Sequence, residues 1–241
     1  ALIAHLGASA IIICALIVFV RPKIGFRTHY LTTILKQNRS YGFPIYLGAI
    51  TGVASSYLAG ITISYYIDNT NVGFYSLAIT AALPLTMLPS SFGITFFKAF
   101  VSYVKIPRKV ILITAGIGLT ALLGFLLFID EIVLFLYTED FSPVIGLSYY
   151  IAIGSLFHGF GDFLNRFISA KGLGKMIRNS NFILGAVNTA GFIILPRYFG
   201  VEGAAITRFI AGIVYFLLLL SFYLRYQRDR RREINTEEYG Q

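Results

Sequence analysis

His158, Asp162 and Arg166 recur at every fourth position, so on a helix they share one face, with Asn165 beside them and Gly154 one turn away. Ionisable groups inside an apolar stretch tend to face a bundle interior or an aqueous passage, where they form a cavity wall or a coupling site. The same spacing also suits an Asp162–Arg166 ion pair at a helix end, with Arg166 reaching up to headgroups. His158 lies deeper, where an imidazole either carries a proton or bonds a backbone carbonyl. Arg208 stands seven residues into another apolar stretch. An Arg at membrane depth costs about 2.5–3.5 kcal/mol on insertion scales. Its fork can grip an anion through two parallel hydrogen bonds, or its stem can snorkel to the interface. Ala204, Ala205, Ala211 and Gly212 leave space around it for a helix or a headgroup. Asn181, Gly185 and Asn188 form a milder stripe. It serves either interhelical hydrogen bonds or, at Asn188, a cavity wall.

None of this is enzyme chemistry. The chain has no HExxH or CxxC metal spacing, no GxSxG nucleophile and no phosphate-cradling glycine loop. Asp130, Glu131, Glu139 and Asp140 lie next to turns and read as solvated carboxylates rather than an acid/base pair. The reading is a non-enzyme without a cofactor or metal. Cys14 is the sole cysteine, so no disulfide forms within the chain.

The elements that must position these residues are apolar runs of membrane length. Seven are visible, at roughly 2–20, 43–65, 74–97, 110–129, 143–163, 182–195 and 201–223. A helix needs about 20 residues to cross the hydrocarbon, and only helices satisfy their own backbone there without a closed barrel. The sixth run is short and must borrow the polar residues 179–181. Mean hydropathy of +0.74 and 56% hydrophobic residues agree.

The net charge of +9 is not a nucleic-acid footprint, because of where the bases fall. Arg21, Lys23, Arg27, Lys36 and Arg39 occupy the first gap, and Lys98, Lys105, Arg108 and Lys109 the third. Arg166, Lys171, Lys175 and Arg178 occupy the fifth, and five arginines follow the last run. The second and fourth gaps hold none. By the positive-inside rule the N-terminus is outside and the C-terminus cytoplasmic, with the bases meeting membrane lipids. Residues 24–40 read as an amphipathic linker on the cytoplasmic surface, and the tail from Asp229 as disordered. The chain opens without Met, directly in an apolar run, as a piece of a longer protein would.

Small residues at four-residue spacing, Gly48/Gly52/Ser56/Gly60 and Gly116/Thr120/Gly124, are expected to let helices approach closely or slide. Pro84 and Pro89 are expected to kink the third run.

Seven helices with an outside N-terminus invite comparison with receptors. There is no DRY-like triplet, no NPxxY, no second cysteine, and no lysine in the last run for a retinal. The stretch from Tyr41 to Gly203 instead resembles the C-terminal half of the polysaccharide or lipid-linked-oligosaccharide flippases of the MOP superfamily, which includes the MATE exporters. The residues that carry the resemblance are Tyr41-Gly42-Phe43-Pro44, then Tyr66-Ile67-Asp68 with Val72-Gly73-Phe74-Tyr75-Ser76-Leu77-Ala78. Ser169-Ala170-Lys171-Gly172-Leu173-Gly174-Lys175 follows, and last the segment from Asn188 through Leu195-Pro196 to Phe199-Gly200-Val201-Glu202-Gly203-Ala204-Ala205.

The resemblance implies an all-α integral membrane protein of seven transmembrane helices, part of a two-lobed carrier with alternating access. Residues 1–20 would be the last helix of a missing N-terminal lobe and 21–41 the interlobe linker. Residues 42–224 would be a six-helix C-terminal lobe and 225–241 a basic tail. Its implied activity is flipping an undecaprenyl-pyrophosphate-linked glycan to the outer leaflet of the inner or plasma membrane. Its implied partners are a polysaccharide polymerase and other envelope-assembly proteins. The residues above that could line its cavity are Arg208, His158, Asp162, Arg166 and Asn188. Two alternatives stand: a MATE-like exporter of amphiphilic cations, for which Asp162 is the one intramembrane acid, and a non-transporting scaffold.

Overall fold

The computed structural model describes residues 2–20 and 28–239, which are almost wholly helical. The chain divides into two compact units, Ala1–Asn38 and Arg39–Gln241. The first holds α1 (Leu2–Val20) and α2 (Thr28–Gln37). Residues 11–20 of α1 are exposed along their whole length, as are Leu31, Ile34 and Leu35 of α2. Part of the expected linker, 21–27, lies outside the described residues.

The second unit contains α3 (Phe43–Tyr66), α4 (Asn69–Thr95), α5 (Phe97–Ser102), α6 (Arg108–Leu136), α7 (Ser142–Ala170) and α8 (Gly174–Tyr239). Five described helical segments are long and apolar enough to cross a membrane: Phe43–Tyr66, Asn69–Thr95, Arg108–Leu136, Glu139–Ala170 and Gly174–Arg232. In α1 the described apolar stretch is the shorter Ile11–Val20. The chain is thus an all-α, multi-pass membrane protein. The expected count of seven differs partly because the sixth and seventh runs both fall within α8. That element is two arms, 174–199 and 201–239, meeting at Gly200 with φ 58° and ψ −147°, a conformation L side chains rarely adopt. Beyond the break the arms fold back on each other. A Cβ on Gly203 would collide with the Leu195 carbonyl, and one on Gly191 with the Thr207 side chain. In a straight helix those pairs would be about 12 and 24 Å apart at 1.5 Å per residue.

Local chemistry sets the other ends. The Asp68 carboxylate accepts from the Asn71 amide at 2.7 Å and caps α4. This draws residues 69–73, which fall between the second and third apolar runs, into the helix. The two Asn71 hydrogen bonds hold the Asp68 carboxyl below its ordinary range. The second arm of α8 runs on to Tyr239, through the stretch expected to be disordered.

α7 lies at the centre and packs against α4, α6 and α8, while α3 packs on α8 and α4. The approach is closest at glycines. A Cβ on Gly154 would stand 2.7 Å from both the Arg208 carbonyl oxygen and Phe209 Cα, and one on Gly159 would stand 2.6 Å from the Thr86 carbonyl oxygen. In α4, Pro89 cannot donate to Leu85, and Gly159 passes over that same carbonyl. α4 nonetheless stays one helix from Asn69 to Thr95 with both prolines inside. Thr86 Oγ1 donates to Ser155 O at 3.0 Å between them. The expected ladders behave differently. Gly48 packs on Asn181, but Gly52, Gly116 and Gly124 have nothing within 4 Å.

Candidate functional site

The polar residues of α7 and α8 converge on a cavity of about 260 Å³ between α3, α7 and the two arms of α8. α3 supplies Gly48, Ala49, Gly52, Val53 and Ser56, and α7 supplies His158. The first arm of α8 supplies Asn181, Leu184 and Asn188, and the second supplies Arg208 and Tyr215. The empty face of Gly52 is therefore cavity wall rather than helix contact. A second crevice, about 190 Å³ between α6, α7 and the second arm, is lined by Phe160, Phe163, Phe216 and other apolar groups. It offers nothing to a charged ligand.

Backbone contact places Arg208. It emerges where Gly154 and Gly212 press α7 against the second arm, a Cβ on Gly212 colliding with the Gly154 carbonyl. No carboxylate among the described residues stands within ion-pair distance of the guanidinium, and its Nε is buried without a hydrogen-bond partner. Asn188 is 3% exposed. Its amide nitrogen donates to Ser55 Oγ at 3.4 Å, a long contact, and its Oδ1 is buried with no partner. A buried polar atom left unpaired costs about 1–3 kcal/mol. Two in one cavity mark a place built for something other than helix packing.

Tyr215 links this cavity to the rest of the stripe. Its ring stacks on His158 at 4.6 Å between centroids and presses on Gly161, where a Cβ would stand 2.5 Å from Cδ1. Its hydroxyl donates to Asp162 Oδ1 at 3.1 Å and accepts from Asn165 Nδ2 at 2.8 Å. Asn165 Oδ1 accepts in turn from Ser169 Oγ at 3.1 Å. The donors thus run in one direction, Ser169 to Asn165 to Tyr215 to Asp162.

The structure brings together four of the five residues expected from sequence. His158, Asn188 and Arg208 line the cavity, and Asp162 joins through Tyr215. Arg166 does not join. Its side chain is exposed and its stem lies over Gly93 of α4. The expected Asp162–Arg166 ion pair is not formed: the Arg166 stem lies over Gly93 of α4, and Asp162 Oδ1 accepts from the Tyr215 hydroxyl. Sequence reasoning missed Tyr215. Its signal was the i, i+4, i+7 face it shares with Arg208 and Gly212.

Lys171 closes α7 outside this region. Its ammonium donates to Val101 O at 2.9 Å and lies over the Phe167 ring. Partial burial, and after it the nearby Arg230, pull its pKa below the usual lysine value.

Compared with known proteins, the chain matches no protein-family model, no curated protein and no solved structure.

Proposed function

We propose that this chain carries a substrate-holding cavity of a membrane transporter, a flippase moving an undecaprenyl-pyrophosphate-linked oligosaccharide from the inner to the outer leaflet by alternating access. The observation that carries the reading is the unpaired Arg208 Nε in a polar cavity of a bundle of membrane-length helices. A guanidinium with no carboxylate partner is complementary to phosphate oxygens and binds them bidentately. The resemblance described above supports the glycan-lipid class, and its residues meet in space. A Cβ on Gly174 would stand 2.7 Å from the Tyr41 ring, whose hydroxyl donates to Ser169 O at 3.3 Å. Membrane lipids and the envelope polymerase machinery are the partners this reading brings, in the inner or plasma membrane. An exporter of amphiphilic cations would want a free acid facing its ligand. Asp162 does not line the cavity, and the unpaired charge there is positive.

The test uses the full-length protein in vesicles loaded with lipid-linked glycan. Arg208→Lys should slow flipping and Arg208→Gln should nearly abolish it, both inserting normally. Wild-type flipping by Arg208→Gln would make Arg208 an interfacial anchor and end this reading.

The orientation belongs to the same proposal. The basic gaps at 98–109 and 166–179 and the tail from 225 face the cytoplasm. Single cysteines at positions 70 and 140 should react with an impermeant thiol reagent on intact cells, and those at 105 and 175 should not. The reverse pattern would invert the topology.

A further inference from the structure

The two unpaired atoms of the cavity are of opposite kind, and their chemistry narrows the ligand. Arg208 Nε is a donor that lacks an acceptor, and Asn188 Oδ1 is an acceptor that lacks a donor. The amide orientation of Asn188 follows from its neighbour. Ser55 Oγ spends its one hydrogen on the Gly52 carbonyl at 2.9 Å. It can then only accept from Asn188, so the Asn188 group facing it at 3.4 Å is the NH₂ and the unpaired atom is the carbonyl oxygen. Asn188 is 3% exposed and lines the cavity from the first arm of α8, while Arg208 lines it from the second.

We propose that Asn188 is a specificity-determining acceptor: the cavity selects an anion that also carries a hydroxyl or amide N–H, such as a sugar phosphate, over an anion with no such donor. This rests on the anion reading of the cavity given above. A bare phosphate satisfies Arg208 and leaves Asn188 Oδ1 unpaired. A phosphate flanked by a ring hydroxyl satisfies both. A site with a buried polar group rejects analogues that leave the group empty, because the lost bond is not replaced by water. A second explanation, that Asn188 exists only to hold Arg208 in place, predicts equal effects on every anion.

The experiment compares two phosphates of similar size and equal charge, glucose 1-phosphate and cyclohexyl phosphate. Binding to the full-length protein in phosphatidylcholine nanodiscs is measured by calorimetry. The wild type should bind the sugar phosphate on the order of 10-fold more tightly, the scale of one net hydrogen bond. Asn188→Leu should reduce that ratio to near one without changing the affinity for cyclohexyl phosphate. Arg208→Gln should weaken both ligands. Equal wild-type affinities overturn the proposal while leaving the anion reading standing, and need no variant to fold. Parallel loss of both ligands in Asn188→Leu also overturns it. Binding of neither phosphate by the wild type removes both readings.

The same chemistry is present in phosphatidylglycerol headgroups, so a second arm replaces the nanodisc lipid with phosphatidylglycerol. Weakened sugar-phosphate binding there, absent in Asn188→Leu, identifies an ambient headgroup as the occupant. Unchanged binding assigns the site to the glycan side of a larger substrate.

Discussion

α6 and α7 pack against each other, yet they are opposites. α6 has the higher mean hydropathy, 2.5 against 1.3, but 17% of its membrane-length window is buried against 56% for α7. A soluble protein would place them the other way round. In lipid no hydrophobic force drives one helix against another, because the acyl chains are as apolar as leucine. Association rests on close packing and on interhelical hydrogen bonds. α7 supplies Gly154, Gly159, Gly161, Ser148 and Ser155, all buried, whereas α6 turns Leu112, Leu123, Leu127 and Phe135 outward. Hydropathy here measures contact with lipid, and smallness measures contact with protein.

The largest expected effect tests the lipid face. Leu123 is 61% exposed on α6. Leu123→Lys should cost about 2.5–3.5 kcal/mol of insertion free energy at the helix centre, read as the inserted fraction in a glycosylation-tag assay, while Leu123→Ala changes little. Normal insertion of the Lys variant would mean that this face meets protein or water.

Next comes packing. Gly154→Val must displace the Arg208 backbone, and overpacking of this kind costs about 1–3 kcal/mol. On α6 a Cβ at Gly116 meets nothing within 4 Å, and Gly116→Val should stay within about 0.5 kcal/mol of the wild type. Denaturant titration in mixed micelles measures both. Equal destabilisation would show that α6 is covered by a partner.

The smallest effect sharpens the polar part. Thr86→Val removes the bond to Ser155 O, and such interhelical bonds average about 0.6 kcal/mol in bilayers. A loss of several kcal/mol in the same titration would make hydrogen bonding rather than glycine contact the main tie between α4 and α7.

The same inversion explains what the sequence disclosed. The apolar runs locate α3, α4, α6, α7 and the α8 arms because lipid contact is written in composition. Their ends were less legible. The Asp68 cap and the polar start of α8 extend helices past the apolar run. The glycine ladder on α6 resembles a packing face but has no partner within this unit, since spacing alone does not say which face a neighbour covers. The site was legible where charge sits at depth, as at Arg208, Asp162 and His158. The role of Tyr215 was hidden because one tyrosine among 16 carries no mark of the His158 ring or the Asp162 carboxylate it will touch. Arg166 was misplaced for a related reason. A four-residue interval permits an ion pair, but the Arg166 stem lies over Gly93 of α4 instead.

The turn at Gly200 gives the cavity a fixed ruler. Asn188 and Arg208 belong to separate arms, yet Gly203 against the Leu195 backbone and Gly191 against the Thr207 side chain hold those arms together between the turn and the pair. Tilting the hairpin as a whole would carry both groups together and leave their spacing untouched. α7 is held to the same hairpin, Gly154 against the Arg208 backbone and Gly161 against the Tyr215 ring, so His158 travels with the pair.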